Sequence, residues 1–225
     1  MYKRNLILIL LSSLLVACSD SKSGEDSVDL GYNYFPTQVG ATWIYKVDSL
    51  VYDDNSGQTT IDTFTFEYKE QITGNFTDVT GETGQYISRY VRYIDTVLWI
   101  PLNQATQLRT TLNAQRVQEN IRYVKLVFPL EKNKKWNGNI YNALGADQYT
   151  FSYTDNPLTL GSTNYPFTSK VLQLNEVNAI EEIVRYEIYA RNIGLVYALS
   201  DSINTQVSGS RGYRYRFTLT SFTQQ

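Results

Sequence analysis

The 225-residue chain carries 20 Lys and Arg against 22 Asp and Glu, a formal net charge of −2, with no histidine and a single cysteine. Without imidazole it builds no Ser-His-Asp triad, no Cys-His dyad and no histidine-bearing zinc or iron site, so catalysis would fall to carboxylates, Tyr or Lys. One cysteine excludes an intramolecular disulfide. A mildly acidic balance argues against nucleic acid as a partner, since that affinity comes from neutralising phosphates.

Residues 1–17 read as a targeting segment. Lys3 and Arg4 precede an aliphatic run at 6–11 that resumes at 14–17. The run is shorter than the roughly 20 residues a bilayer core requires and suits a secretory signal. It ends in Leu15-Val16-Ala17-Cys18, which resembles the lipobox of bacterial lipoproteins. The resemblance implies cleavage before Cys18, acylation of its thiol, and attachment by lipid rather than by a spanning helix. Loss of Lys3 and Arg4 would take the formal charge to −4. Residues 18–33 are then the lipidated cysteine and a flexible tether. Between 19 and 29 the only apolar residue is Val28, too little to pack. The acidic residues Asp20, Glu25, Asp26 and Asp29 look like the signal that exports Bacteroidota-type lipoproteins to the outer face of the outer membrane, weighed against a plain soluble spacer.

Residues 34–225 read as one β domain. A strand over 42–52 leads into Asp53-Asp54-Asn55-Ser56-Gly57. These residues offer oxygens to calcium but lack EF-hand spacing and a closing Glu, so they read as a turn, and no metal or cofactor is expected. Over 59–71, Phe64, Phe66 and Tyr68 alternate with Thr63, Thr65, Glu67 and Lys69. A long run at 85–102 is predicted to bend or break around Asp95. In 106–120, Leu108, Leu112 and Val117 could mark a helical face, but no cap frames them, and the segment reads mainly as strand and turn. Residues 121–130 are apolar enough for burial on both faces. Tyr149, Phe151 and Tyr153 alternate with threonine and serine, and 171–174, 183–190 and 194–199 continue the pattern. At the close, Tyr213, Tyr215, Phe217 and Leu219 are predicted to pack inside, with Arg214 and Arg216 outside. Such strands predict an all-β fold: a single antiparallel domain of long curved strands, either an open or half barrel or a large sandwich.

Three segments carry a resemblance. They are Tyr34-Phe35-Pro36 with Gly40, Trp43 and Tyr45; residues 123–129 leading to Trp136-Asn137-Gly138-Asn139; and residues 189–197. Together they resemble a group of uncharacterised Bacteroidota-type outer-membrane and surface lipoproteins with a Phe-Pro, Gly, Trp-x-Tyr opening. The resemblance implies an antiparallel β domain at the outer membrane or cell surface, and no activity. Read physically, these residues are core and turn positions: Pro36 fixes the approach to the first strand, Gly40 permits a tight turn, and Gly194 permits a bend or close approach.

Nineteen tyrosines are suited to sugar or protein contacts. Trp136, Asn137 and Asn139 form the best candidate ligand platform, weighed against a hairpin loop whose Trp caps the core. Glu181 and Glu182 are adjacent, hence on opposite faces of a strand, and no catalytic residue is nominated. Ser27, Ser49, Thr96 and Ser202 sit in Asp-Ser/Thr-aliphatic triplets that resemble Bacteroidota-type O-glycosylation sites. The expected function is a non-enzymatic binding or accessory module, lipid-anchored at the outer membrane or cell surface, with a glycan or envelope-protein partner. A hydrophobic-ligand or lipid carrier with an open barrel is the alternative, and a carboxylate-dependent hydrolase ranks last.

Overall fold

The computed structural model describes residues 29–93 and 97–224. Cys18, Ser27 and Thr96 lie outside the described residues. The twelve described strands are β1 Thr42–Asp53, β2 Thr60–Thr77, β3 Thr83–Arg92, β4 Ile100–Arg109, β5 Asn113–Gln118, β6 Ile121–Val127, β7 Lys135–Asn137, β8 Gln148–Leu160, β9 Thr163–Val177, β10 Glu181–Ala190, β11 Gly194–Gln206 and β12 Gly209–Thr223.

All belong to one sheet. Its order runs from β6 back to β1, across to β12, and on to β7. Sequence neighbours therefore pair as antiparallel hairpins, and the first strand pairs with the last. The two remaining edges approach each other. The Val124 N–H donates to the Gly138 carbonyl at 2.8 Å, and the Trp136 indole N–H donates to the Val124 carbonyl at 2.9 Å. The fold is thus all-β and antiparallel, and it is a nearly closed barrel rather than a sandwich. Closure explains the strand lengths, because tilted strands must be long to span a barrel.

Alternation assigns the inner face. Trp43, Tyr45, Val47 and Ser49 are buried along β1. The register places Glu70, Tyr68, Phe66 and Phe64 opposite them on β2. One core cluster gathers Trp43, Tyr45, Val47, Ile72, Ile87 and Val196. A second gathers Tyr34, Phe35, Leu126, Phe151 and Val171 beneath the residues that precede β1. These leading residues make a single 3₁₀ turn, Tyr32–Tyr34, and form a strap across one end of the barrel. Arg109 Nη1 donates to the carbonyls of Tyr32 (2.8 Å) and Phe35 (3.0 Å), and the Asn192 N–H donates to Asn33 O (2.8 Å).

The segment 106–120 is strand and turn, as its missing caps predicted. The final strand corrects one expectation. Phe217 is half-buried and Leu219 buried, but Tyr213 and Tyr215 are exposed, and Arg214 is half-buried with Asp201 at 2.7 Å. The cause is hairpin length. β2 gains a β3 partner only from Glu67 onward, so the tip of the β1–β2 hairpin, beside which Tyr213 and Tyr215 pair, outruns the next strand of the barrel. Inner-face residues there, such as Phe64, have nothing opposite them.

Within the β11–β12 hairpin the two strands approach closely. Gly212 has φ +141°, and a Cβ there would lie 2.0 Å from the Ser202 carbonyl oxygen, a backbone atom with little room to yield. Gly212→Ala is therefore expected to cost about 1–3 kcal/mol. Urea denaturation reads this directly, and an unmoved midpoint would show that β12 shifts cheaply.

Candidate ligand-binding cavity

The barrel interior is not filled to its centre by apolar side chains. It encloses a cavity of about 340 Å³. Phe35 and Pro36 of the strap border it at one end, and Leu199, Ser200 and Phe217 border it toward the other. Gln107 Nε2 donates to the Pro36 carbonyl at 2.8 Å and fixes the strap against β4.

One wall is aromatic. The Tyr68 and Phe217 rings meet edge to face at 5.7 Å, and Tyr45 lies 6.3 Å from Phe217 and 6.4 Å from Tyr68. The polar tips of this wall are anchored. Trp43 Nε1 donates to Ile193 O at 2.6 Å, and Tyr45 Oη donates to Leu195 O at 3.0 Å. Both acceptors flank Gly194, whose φ is +91°, and a Cβ there would stand 3.0 Å from the Pro36 ring. Glycine therefore lets the β10–β11 corner close onto the strap and β1.

Two charged groups face the same space. In the first, Glu70 Oε1 accepts from Tyr68 Oη at 3.1 Å and lies 3.5 Å from Arg89 Nε, while Oε2 lies 2.5 Å from Arg116 Nη2. In the second, Glu187 takes Lys125 Nζ at 2.5 Å and Tyr189 Oη at 2.6 Å. Burial pushes the Glu187 carboxyl up, but Lys125 and Tyr189 outweigh it and hold it below the usual carboxylate range. Burial, reinforced by these carboxylates, raises the Tyr45, Tyr68 and Tyr189 phenols well above their ordinary value. The tyrosines are therefore neutral hydrogen-bonding groups, not nucleophiles.

Two of the polar residues owe their position to β-bulges. Ala114 pairs with Leu126 and Gln115 with Val124, leaving Lys125 as the extra residue of β6. Likewise Arg185 pairs with Leu174 and Tyr186 with Leu172, leaving Gln173 as the extra residue of β9. A bulge breaks strict alternation and re-aims a side chain. Here it turns both residues to the cavity, where Gln173 Nε2 approaches Glu187 without forming a hydrogen bond.

No family model matches the chain. No curated protein matches it either. Among solved structures, the chain is similar to the crystal structure of a candidate lipoprotein from Parabacteroides distasonis ATCC 8503, with 11% identity and a TM-score of 0.38 over 84% of this chain and 98% of that one.

The three segments that carried the sequence resemblance converge on the cavity. Phe35, Pro36, Trp43, Tyr45, Lys125 and Tyr189 all border it. Trp136, Asn137 and Asn139 sit instead at the barrel seam. The Trp136 ring lies 4.8 Å from Phe151 and 5.9 Å from Tyr149. Asn137 Oδ1 accepts the N–H groups of Asn139 and Asp147, both at 3.0 Å, and Asn139 Nδ2 donates to Gly145 O at 2.8 Å. Their polar groups thus shape the β7–β8 corner. Of the serines in glycosylation-like triplets, Ser49 is buried in β1. Ser202 is half-buried in β11. Asp53 and Asp54 form a turn, with Gly57 N–H donating to Asp54 O at 2.9 Å and Arg211 pairing with Asp54.

Sequence reasoning missed Glu70, Arg116, Lys125, Gln173 and Glu187. For Glu70 a signal existed: it extends the Phe64, Phe66, Tyr68 face by one step, placing a carboxylate on an otherwise aromatic stripe.

Proposed function

We propose that this chain is a non-enzymatic binding module, lipid-anchored through Cys18 at the bacterial outer membrane or cell surface, and that it holds a small glycan inside its barrel. The observation that carries this reading is the cavity itself: a half-open space with an aromatic wall facing charged and amide groups. Sugars present apolar ring faces and a rim of hydroxyls, and such a site offers partners for both. A volume of about 340 Å³ is near the lower limit of ordinary ligand pockets, so the ligand is of mono- or disaccharide size.

The charges weigh against the carrier alternative, because an alkyl chain seated beside Glu70, Arg116, Lys125 and Glu187 would desolvate them without replacing their hydrogen bonds. The hydrolase reading is weakened by the same pairs. Both carboxylates are held by cations, so neither is placed as a proton donor to a leaving group. Calorimetric titration of the folded domain with a panel of mono- and disaccharides tests the proposal. Saturable binding that is lost in Tyr68→Ala supports it. Absence of heat across the panel at millimolar ligand would reject it.

A further inference from the structure

The charges around the cavity do not balance. Lys125 is matched by Glu187, and Arg185 by Asp147 at 3.0 Å. Glu70, however, is shared by two guanidiniums, those of Arg89 and Arg116. The other acidic group near them is Glu119, 3.5 Å from Arg89 and 71% exposed, where water screens it. The lining holds Arg89, Arg116, Lys125 and Arg185 against Glu70 and Glu187; with Arg185 taken by Asp147 and Arg89 reaching beyond Glu70 only to the exposed Glu119, the wall carries one more cation than buried carboxylates match. Two buried donors beside it also lack hydrogen-bond partners among the described residues: Arg116 Nε on β5 and Gln173 Nε2 on β9. Buried donors left unsatisfied are costly, and a native fold keeps them where something else completes them.

We infer that the ligand is a sugar carrying one carboxylate, a hexuronic acid, whose anion takes the spare charge and the free donors at Arg116 and Gln173. This rests on the glycan-binding reading and adds the ligand's charge to it. A planar carboxylate matches the guanidinium fork, and a single anion matches a surplus of one. The sugar ring would lie against the Tyr45–Tyr68–Phe217 wall.

The test titrates the folded domain with glucuronate, galacturonate and mannuronate, with their neutral parent hexoses, and with acetate. At least one uronate is expected to bind ten times more tightly than its parent hexose. Gln173→Glu, which puts a second carboxylate beside Glu187 with almost no change in shape, should weaken uronate binding at least fivefold. Equal affinity for uronate and hexose, or an unaffected Gln173→Glu, would overturn the inference while leaving the glycan reading intact. Acetate binding as tightly as any uronate would reject the sugar and keep the anion. No binding by any ligand in the series would reject both.

Discussion

Lys125→Met should destabilise the folded barrel by about 3–5 kcal/mol. The reason is the group left behind. Lys125 is 8% exposed, and its ammonium lies 2.5 Å from Glu187. Methionine fills a similar volume but abandons the carboxylate in a largely buried site. A domain of this kind is stable by only about 5–15 kcal/mol, so the variant would sit near its unfolding threshold. Lys125→Met combined with Glu187→Gln removes the orphaned charge and should recover most of the loss, since well-packed replacement of both partners is often close to neutral. Recovery of less than about 1 kcal/mol in denaturant melts would show that Lys125 and Glu187 do not act as a coupled pair. The pair also sets a pH dependence. Glu187 is held below its ordinary value of 4.5, so the unfolded chain binds that proton more readily than the folded one. Its contribution is complete above about 4.5 and disappears as pH falls through the lower, folded value. Wild type should therefore lose stability toward acid more steeply than the double variant.

That buried pair also marks where sequence reading succeeds and where it stops. The alternation of Phe64, Phe66 and Tyr68, and of Tyr149, Phe151 and Tyr153, reports strand and facing directly, because side-chain period is a local property. An antiparallel, long-stranded fold follows from it. Barrel closure does not, because it depends on Val124 meeting Gly138 and on Thr42–Asp53 pairing with Gly209–Thr223, contacts between segments remote in sequence. The cavity was harder still. Lys125 and Gln173 reach it through bulges, and a bulge is a mismatch between two strands that neither strand shows alone. Read singly, Lys125 and Glu187 look like solvated charges. Only the closed barrel brings them together, across its interior. Trp136 and its neighbouring asparagines, weighed as a ligand platform against a loop whose Trp caps the core, lie at the seam, where the indole N–H reaches across to the Val124 carbonyl.

Tyr34→Ala is expected to cost about 3–5 kcal/mol and to loosen the strap that closes one end of the cavity. Tyr34 is 1% exposed, lies in the core cluster with Phe35, Leu126 and Phe151, and donates from Oη to Asp155 at 2.7 Å. Burial, and then that hydrogen bond, push its phenol up to about 12, so it remains a donor at any physiological pH. Removing the ring opens a void beneath residues that bear directly on the cavity, since Phe35 and Pro36 follow immediately. Removing only the hydroxyl is milder: Asp155 keeps Arg191 at 2.6 Å, and Tyr34→Phe should cost about 1 kcal/mol. Stability alone does not separate a loosened strap from general damage, but the Trp43 indole does. Its N–H donates to Ile193 O beside Gly194, where the strap, β1 and the β10–β11 corner meet. Hydrogen exchange at that N–H should accelerate in Tyr34→Ala by a larger factor than amides in the middle of β1, and should barely change in Tyr34→Phe. Uniform acceleration along β1 would mean that the strap is an ordinary part of the core. Selective acceleration would make it the separately yielding end of the barrel, joined in sequence to the segment that precedes it and in space to the wall of the cavity.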